Sequence, residues 1–331
     1  MKKIINSPEY FVDEVLEGIL LAHADRLRRA PGEARAIIRT NIPANLVGIV
    51  TGGGSGHLPV FLGYVGAGLC SGVAVGNVFS SPSSEQVFAA TKAVDGGRGV
   101  LYLIGNYGGD VLNFELAGDL SEMEDISTKV VLVNDDVMSA AKESAASRRG
   151  VAGMVFAFKC AGASAERGDN LEEVARLAQK AVSRTRSAGV GLSPTILPAA
   201  GKATFDLPEG FMEIGIGIHG EPGIHRGKIE TADEITERLL APILDELEAI
   251  PGDELALLIN GLGATPLEEL YLIFRKTKEI LDRKNLKITK LFIGEYATSL
   301  EMAGASITVM KVDEELQILL DAPANSPFFQ S

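Results

Sequence analysis

Cysteine is nearly absent: Cys70 and Cys160 are the only two in 331 residues, far apart and each in an apolar run. Such a pair reads as two reduced core thiols, not as a disulfide framework. Basic residues are in the minority too. Against 44 acidic residues stand 31 lysines and arginines, giving a net charge of −13 and a pI near 4.9. That balance argues against nucleic-acid backbones and anionic membranes as partners, since both attract basic patches. No apolar run approaches the roughly 20 residues that a membrane-spanning helix needs. The amino terminus turns acidic at Glu9 and Asp13, which the apolar region of a signal peptide would not tolerate, so the cytoplasm is the expected compartment. Histidines number four, and none belongs to a spaced Cys/His set, so no metal site is expected. Neither an internal repeat nor a low-complexity segment is apparent.

What is present is the composition of a globular chain of one or two domains, with 46% hydrophobic and 23% charged residues. Ser7-Pro8-Glu9 reads as a helix start, and Val12, Val15, Leu16, Ile19 and His23 then recur at helical spacing. The run Leu46–Thr51 reads as a buried strand emptying into the glycine-rich loop Gly52–His57. Ser81-Pro82 opens a second helix that Asp95-Gly96-Gly97 ends. A strand over 99–104 leads into the loop Gly105–Asp110 and a short helix, and a further strand spans 129–133. The segment 153–165 fits a buried strand or a buried helix equally, whereas 171–186 is amphipathic and helical.

Strands alternating with helices predict parallel βαβ units, hence an α/β fold with mostly parallel or mixed sheets flanked by helices. The texture changes near Ser187-Ala188-Gly189, which predicts two α/β domains, 1–187 and 188–331. In the second, Ile214–Ile218 alternates large apolar residues with glycine, as a strand does where another backbone passes closely. Thr231/Glu234 and Thr265/Glu268 match the capping box of a helix start, and strands are predicted over 255–259, 288–293 and 306–312.

Candidate chemistry concentrates in three loops. His57 follows Gly-Ser-Gly, and His219 stands between Ile218 and Gly220-Glu221-Pro222-Gly223. Both lie at predicted strand ends, where open α/β sheets bind ligands. Asp110 closes the loop Gly105-Asn106-Tyr107-Gly108-Gly109. Two imidazoles and a carboxylate form a workable set for proton abstraction and nucleophilic attack. Spacing alone equally allows histidines that cap turns and an aspartate that caps the next helix. His23, on or beside an apolar stripe, reads as structural, and His225, beside Arg226 in a polar stretch, reads as a loop residue. The glycine loop carries no lysine after its last glycine, and Pro59 stands where a dinucleotide fingerprint needs its third glycine. A small polyhydroxylated ligand therefore fits better than a nucleotide. Asn134-Asp135-Asp136 reads as a strand-end turn before it reads as a Mg²⁺ site.

Five motifs occur together and in order: Gly52–His57; Asn106-Tyr107-x-Gly109-Asp110-x-x-Asn113-Phe114; Arg148-Arg149-Gly150; Gly217-Ile218-His219-Gly220-Glu221-Pro222-Gly223; and the stretch from Asn260 to Tyr271. The chain closely resembles the dihydroxyacetone-binding subunit of dihydroxyacetone kinases from Lys2 to about Ala322. The resemblance implies that His219 holds a short ketose as a hemiaminal, that Asp110 is the base for the hydroxyl receiving phosphate, and that His57 assists by hydrogen bonding or proton transfer. Gly54, Ser55 and Gly56 would line the substrate, with Gly105 heading the third loop. It also implies a homodimer that binds no cofactor itself and needs a separate helical subunit of the DhaL type carrying ADP or ATP with Mg, because the chain stops at Ser331 without a helical nucleotide domain.

Three positions depart from the family's usual pattern: Gly105 replaces a lysine, Gly108 a threonine and Leu58 a glutamate. A pocket enlarged for a longer or branched ketose, such as erythrulose or an apiose-derived ketose, is one expectation; an altered partner or donor is another. Relatives that bind ketone but act as transcriptional coactivators offer a non-catalytic alternative, and retention of His57, Asp110 and His219 together favours the enzyme. A dehydrogenase is disfavoured by the broken dinucleotide fingerprint.

Overall fold

A computed structural model describes residues 2–331. Its first sheet is built from β1 (Leu27–Arg29), β2 (Ala36–Arg39), β3 (Gly48–Ser55), β4 (Gly72–Val78), β5 (Val100–Gly105) and β6 (Thr128–Val133), in the order β1-β2-β4-β3-β5-β6. The strands β4, β3, β5 and β6 run parallel, while β1 and β2 add an antiparallel edge. The second sheet contains β7 (Thr185–Gly191), β8 (Phe211–Ile214), β9 (His225–Lys228), β10 (Glu254–Gly261), β11 (Lys287–Gly294) and β12 (Gly304–Val312), in the order β11-β10-β12-β7-β8-β9. Only β10 and β11 are parallel there. Both sheets are therefore mixed, and the α/β expectation holds.

Helices α2 (Ser84–Val94) and α3 (Gly108–Glu122) cover one face of the first sheet, where Phe114 of α3 packs with Val50, Tyr102 and Ile104 of the strands. Helices α6 (Ala232–Glu246) and α7 (Leu267–Arg283) cover the outer face of the second. Between the sheets lies one shared core. It takes Leu101 and Leu103 from β5, Phe156 and Phe158 from α4 (Met154–Glu166), Leu177 from α5 (Leu171–Ser183), Leu258 from β10 and Met310 from β12. Helix α8 (Glu314–Asp321) returns to this core, where the buried Lys159 amine donates to the Leu319 and Ala322 carbonyls at 2.7 and 2.5 Å. Those two acceptors satisfy an ammonium that burial would otherwise make costly.

Several local expectations are corrected. Helix α1 (Phe11–Ala22) begins after a turn at residues 8–10, and no side chain caps it, so Ser7 is not its N-cap. The ambiguous 153–165 stretch is helix α4, with every residue from Met154 to Ala165 buried, which explains why it carries no amphipathic period. Helix α3 is 15 residues long instead of short. The predicted strand over 214–218 ends at Ile214, because Gly215 turns the chain at φ +80°. Thr231 and Glu234 form their capping box, but Thr265 does not. Its hydroxyl is engaged by Gly304, donating to the carbonyl at 2.6 Å and accepting from the amide at 2.8 Å.

Strand β3 does not stop where the glycines begin. It continues through Gly52, Gly53 and Gly54 to Ser55, buried nearly throughout. A β-carbon on Gly53 would run into the Phe61 ring, and one on Gly54 would lie 2.6 Å from the Ser80 amide. The glycines thus allow neighbours to close on the strand end. The chain leaves β3 for β4 on one side and later returns to β5 on the other, so the crevice at the carboxyl ends of β3 and β5 is a topological switch point. The loops after both strands open into it.

Candidate active site

Four segments converge at that crevice. His57 follows β3, Asp110 sits in the first turn of α3 after β5, His219 stands on the loop after β8, and Thr298–Leu300 joins β11 to β12. The last segment was not singled out by sequence, yet it brackets both histidine loops. The Leu300 amide donates to the Gly56 carbonyl at 2.7 Å, the Thr298 hydroxyl donates to the Leu58 carbonyl at 2.8 Å, and the Ser299 hydroxyl donates to the Ile218 carbonyl.

The imidazoles of His57 and His219 lie edge to face, with centroids 4.8 Å apart. Phe79 stacks on His57 at 4.7 Å and meets the His219 ring at 5.4 Å, while Tyr107 meets His219 from another side at 4.9 Å. Phe79, Phe61 and Leu300 hold positive φ angles of 56°, 67° and 50°, a conformation that costs a non-glycine residue on the order of 1–3 kcal/mol. All three press on Gly53, Gly54 or Gly56, so backbone strain gathers around the loop that carries His57.

Each histidine has its tautomer set by its Nδ1 partner. His57 Nδ1 lies 2.7 Å from the Thr298 carbonyl, which can only accept, so Nδ1 carries the proton and Nε2 is bare. Burial at 1% exposure pushes the His57 pKa down to about 3, keeping the ring neutral. His219 Nδ1 lies 2.9 Å from Glu221 Oε1, and its amide donates to Glu221 Oε2 at 3.0 Å. Burial pushes Glu221 upward, but the hydrogen bond and charge of the His219 ring, its own backbone amide and, least, the Arg149 charge outweigh it and hold the carboxyl at about 2. Glu221 is thus an acceptor for the Nδ1 proton of His219, which leaves Nε2 as the ring nitrogen turned away from the carboxylate.

Asp110 is 5% exposed. Burial raises its pKa to about 6, against the pull of a hydrogen bond from Ser81. Asn113 steadies the same corner by donating to the Pro82 carbonyl at 2.7 Å. Among the described residues, nine buried side-chain nitrogens and oxygens lack a partner, and His57 Nε2, Asp110 Oδ1 and the Tyr107 hydroxyl are three of them. Their common association with His219 matters, since buried polar atoms without partners are costly and need a reason.

The predicted set is therefore brought together, while His23, against Phe328, and His225, on the exposed strand β9, lie elsewhere. A cavity of about 500 Å³ backs onto the glycine loop from the α1 side, lined by Phe11, Val15, Phe61 and Leu300; neither His219 nor Asp110 borders it. The carboxylates of Asn134-Asp135-Asp136 are committed inside the protein. Asp135 accepts from Val151, Gly153 and Ser187, and Asp136 pairs with Arg149. At the departures, a β-carbon on Gly105 would lie 3.0 Å from the Tyr107 ring, whereas Gly108 faces open space and is exposed. The volume next to Gly105 is taken by tyrosine.

Two mixed sheets meeting at a switch-point crevice, with two imidazoles each held through Nδ1 and a buried carboxyl on the loop beside them, define a small-molecule site of an α/β protein. A Dak1 domain model matches residues 17–328, and the chain belongs to that family. It is 42% identical over 331 residues to the PTS-dependent dihydroxyacetone kinase 2 dihydroxyacetone-binding subunit DhaK of Listeria innocua, covering all of this chain and 99% of that one. It is also 42% identical to the L-erythrulose kinase of Pectobacterium atrosepticum, spanning all of this chain but 56% of that protein. Among solved structures, the dihydroxyacetone kinase of C. freundii aligns with TM-score 0.89 and 32% identity over 98% of this chain and 59% of that one. The dihydroxyacetone kinase operon co-activator DhaQ aligns with TM-score 0.88 and 31% identity over 96% and 97%. No helix among the described residues is long and apolar enough to cross a membrane.

Proposed function

We propose that this chain is the ketose-binding, catalytic subunit of a dihydroxyacetone-type kinase, capturing a short ketose on His219 and presenting one hydroxyl for phosphorylation. The observation that carries the reading is the set of buried, unpartnered polar atoms, His57 Nε2, Asp110 Oδ1 and the Tyr107 hydroxyl, on the loops that meet an imidazole whose Nδ1 is tied to a carboxylate. In the capture step the His219 Nε2 lone pair forms a bond to the carbonyl carbon, and the carbonyl π pair moves to oxygen, which takes up a proton. Nδ1 yields its proton to Glu221, which returns it to solvent, so the ring ends uncharged and the proton count closes. Polyols offer no carbonyl and are refused.

Asp110 then accepts the proton of the attacking hydroxyl as the oxygen–phosphorus bond forms. His57, an acceptor through Nε2, holds that hydroxyl or its neighbour in place. The phosphoryl group comes from a separate DhaL-type subunit that carries ADP or ATP with Mg; the words "PTS-dependent" and "dihydroxyacetone-binding subunit" in the name of the Listeria relative support a donor outside that chain. This chain would work as a homodimer in the cytoplasm. A four-carbon substrate such as erythrulose is a second reading, favoured by the erythrulose kinase relative at the same identity. The coactivator role is the third, supported by the DhaQ likeness, although an assembled Asp110 and His57 are of no evident use to a sensor.

The test is intact-protein mass spectrometry under gentle ionisation with dihydroxyacetone, erythrulose and branched ketoses. An adduct that appears on the wild-type chain and is lost in His219→Ala supports capture and ranks the substrates. No adduct with any ketose sinks it.

A further inference from the structure

Neighbours in sequence, Arg148 and Arg149 do unrelated work. Arg148 is 1% exposed and locked to Glu246 of α6 by two hydrogen bonds of 2.6 Å, with a third to the Ala140 carbonyl at 2.9 Å; it fastens the fold. Arg149 turns the other way. Its guanidinium lies 2.8 Å from the buried Asp136 carboxylate, donates to the Gly215 carbonyl at 2.9 Å, and approaches Glu221 Oε2 at 3.9 Å. Asp136 is fixed in turn by the Met138 amide at 3.1 Å. Gly215 is the residue at which the chain leaves β8 for the loop bearing His219. One side chain from the first half of the molecule therefore reaches the root of that loop and the carboxylate that orients its imidazole.

Gly217 supports the same arrangement. A β-carbon there would collide with both Glu221 Oε2 and Arg149 Nη1, so glycine at 217 is what lets the two charged groups meet over the backbone. At 3.9 Å the Arg149–Glu221 contact is a Coulomb attraction beyond hydrogen-bond range. With Arg149 mostly buried and Glu221 one-third exposed, it still opposes rotation of the carboxylate away from His219, weakened by solvent on the Glu221 side.

We propose that Arg149 is a positioning residue for ketone capture: anchored on Asp136, it holds Gly215 and Glu221 so that His219 keeps its proton on Nδ1 and aims Nε2 at the substrate. The inference rests on the capture reading of the site. Its consequence is that the nucleophile on the loop after β8 is aligned by an arginine from the segment between β6 and α4, so capture depends on the contact between those two segments. Outer groups that orient a metal-ligating imidazole are typically worth about tenfold to a hundredfold, and by analogy a loss of that order is expected for Arg149→Gln.

The experiment compares wild type, Arg149→Gln, Arg149→Lys and Gly217→Ala by two readouts: ketose affinity from adduct titration, and the ¹⁵N shifts of the His219 ring in the ligand-free chain. The proposal expects Arg149→Gln and Gly217→Ala to lose the pure Nδ1–H tautomer and about one to two decades of affinity, with Arg149→Lys recovering part of both. Wild-type tautomer and affinity in either impaired variant overturn it. If the wild type forms no adduct at all, the capture reading fails, while the ¹⁵N shifts still decide whether Arg149 sets the tautomer. Gly217→Ala keeps the question open to test should Arg149→Gln fail to fold, because it disturbs the same contact without removing a charge.

Discussion

His57 and His219 are the same side chain with the same tautomer, and their loops give them different work. On the first sheet, Nδ1 of His57 faces a peptide carbonyl from another strand connection, the ring is buried under Phe79, and its pKa lies near 3. A neutral carbonyl polarises the ring weakly, so Nε2 remains an acceptor that seldom gains a proton. On the second sheet, Nδ1 of His219 faces a carboxylate, and the ring is 24% exposed. An anionic acceptor takes up positive charge as it develops on the ring, which is what an attacking nitrogen needs. On the proposed reading, the difference between acceptor and nucleophile is written in what each Nδ1 touches, not in the histidines.

The largest effect that could break this division comes from Asp110→Asn. Removing the base while leaving both rings in place should lower phosphoryl transfer by about 10²- to 10⁴-fold, the usual range for general base catalysis. The adduct on His219 should persist. Adduct mass and turnover measured on the same preparation separate the two steps; loss of capture together with turnover would mean that Asp110 supports the nucleophile as well. In the wild type, phosphorylation should rise as pH passes upward through about 6, because the base is the ionised form of a carboxyl that burial has raised.

A smaller effect sharpens the contrast through stability. His57 is held neutral in the fold at about 3, against about 6.5 for an unfolded histidine. Above pH 6.5 both states are unprotonated and the ring contributes no pH dependence. As pH falls from about 6.5 toward 3, the unfolded chain gains a proton that the folded chain refuses, and stability is lost, by about 4 kcal/mol at most over that window. Asp110 acts with the opposite sign: its raised carboxyl makes the folded chain bind the proton more tightly, so its contribution declines as pH rises from about 4 to 6. Denaturant titrations between pH 4 and 7 should show a shallower acid loss in His57→Asn than in wild type. Equal slopes would mean that His57 is not buried neutral.

Much of this site was legible in the sequence because glycine marks close approach and because histidine is scarce. Gly52–His57, the loop ending at Asp110 and Gly217–Gly223 stand out by composition, and the fold carries them to one crevice. What sequence could not supply was the partner of each Nδ1. For His57 that partner is a backbone carbonyl 241 residues away, which leaves no residue-specific signal. Glu221 lay inside a recognised motif, but nothing in spacing showed that it turns back two residues onto its own loop. Ser81 read only as part of a helix start, Tyr107 only as one position of a motif, and Phe79 was not singled out, because their roles arise from tertiary contact. The strand assigned to 214–218 failed for a related reason. Alternation of isoleucine with glycine fits a strand, and it equally fits a loop whose glycines admit Arg149, Glu221 and a turn at positive φ.

The smallest expected effect concerns the two glycines of the third loop, where comparison of neighbours again decides. Gly108 is exposed, does not have a positive φ, and has no heavy atom within 4 Å of a β-carbon. Gly108→Thr should therefore leave stability within about 0.5 kcal/mol of wild type, as for most surface changes. Gly105 differs: a β-carbon there meets the Tyr107 ring at 3.0–3.1 Å, and that ring packs against His219. Gly105→Ala should push Tyr107 toward the imidazole and weaken adduct formation several-fold, more for erythrulose than for dihydroxyacetone because the longer chain needs the space. Ketose affinities of the two variants, measured side by side, test which departure governs substrate size. If Gly108→Thr alters the preference and Gly105→Ala does not, the discriminating wall is at the mouth of the crevice, not at Tyr107.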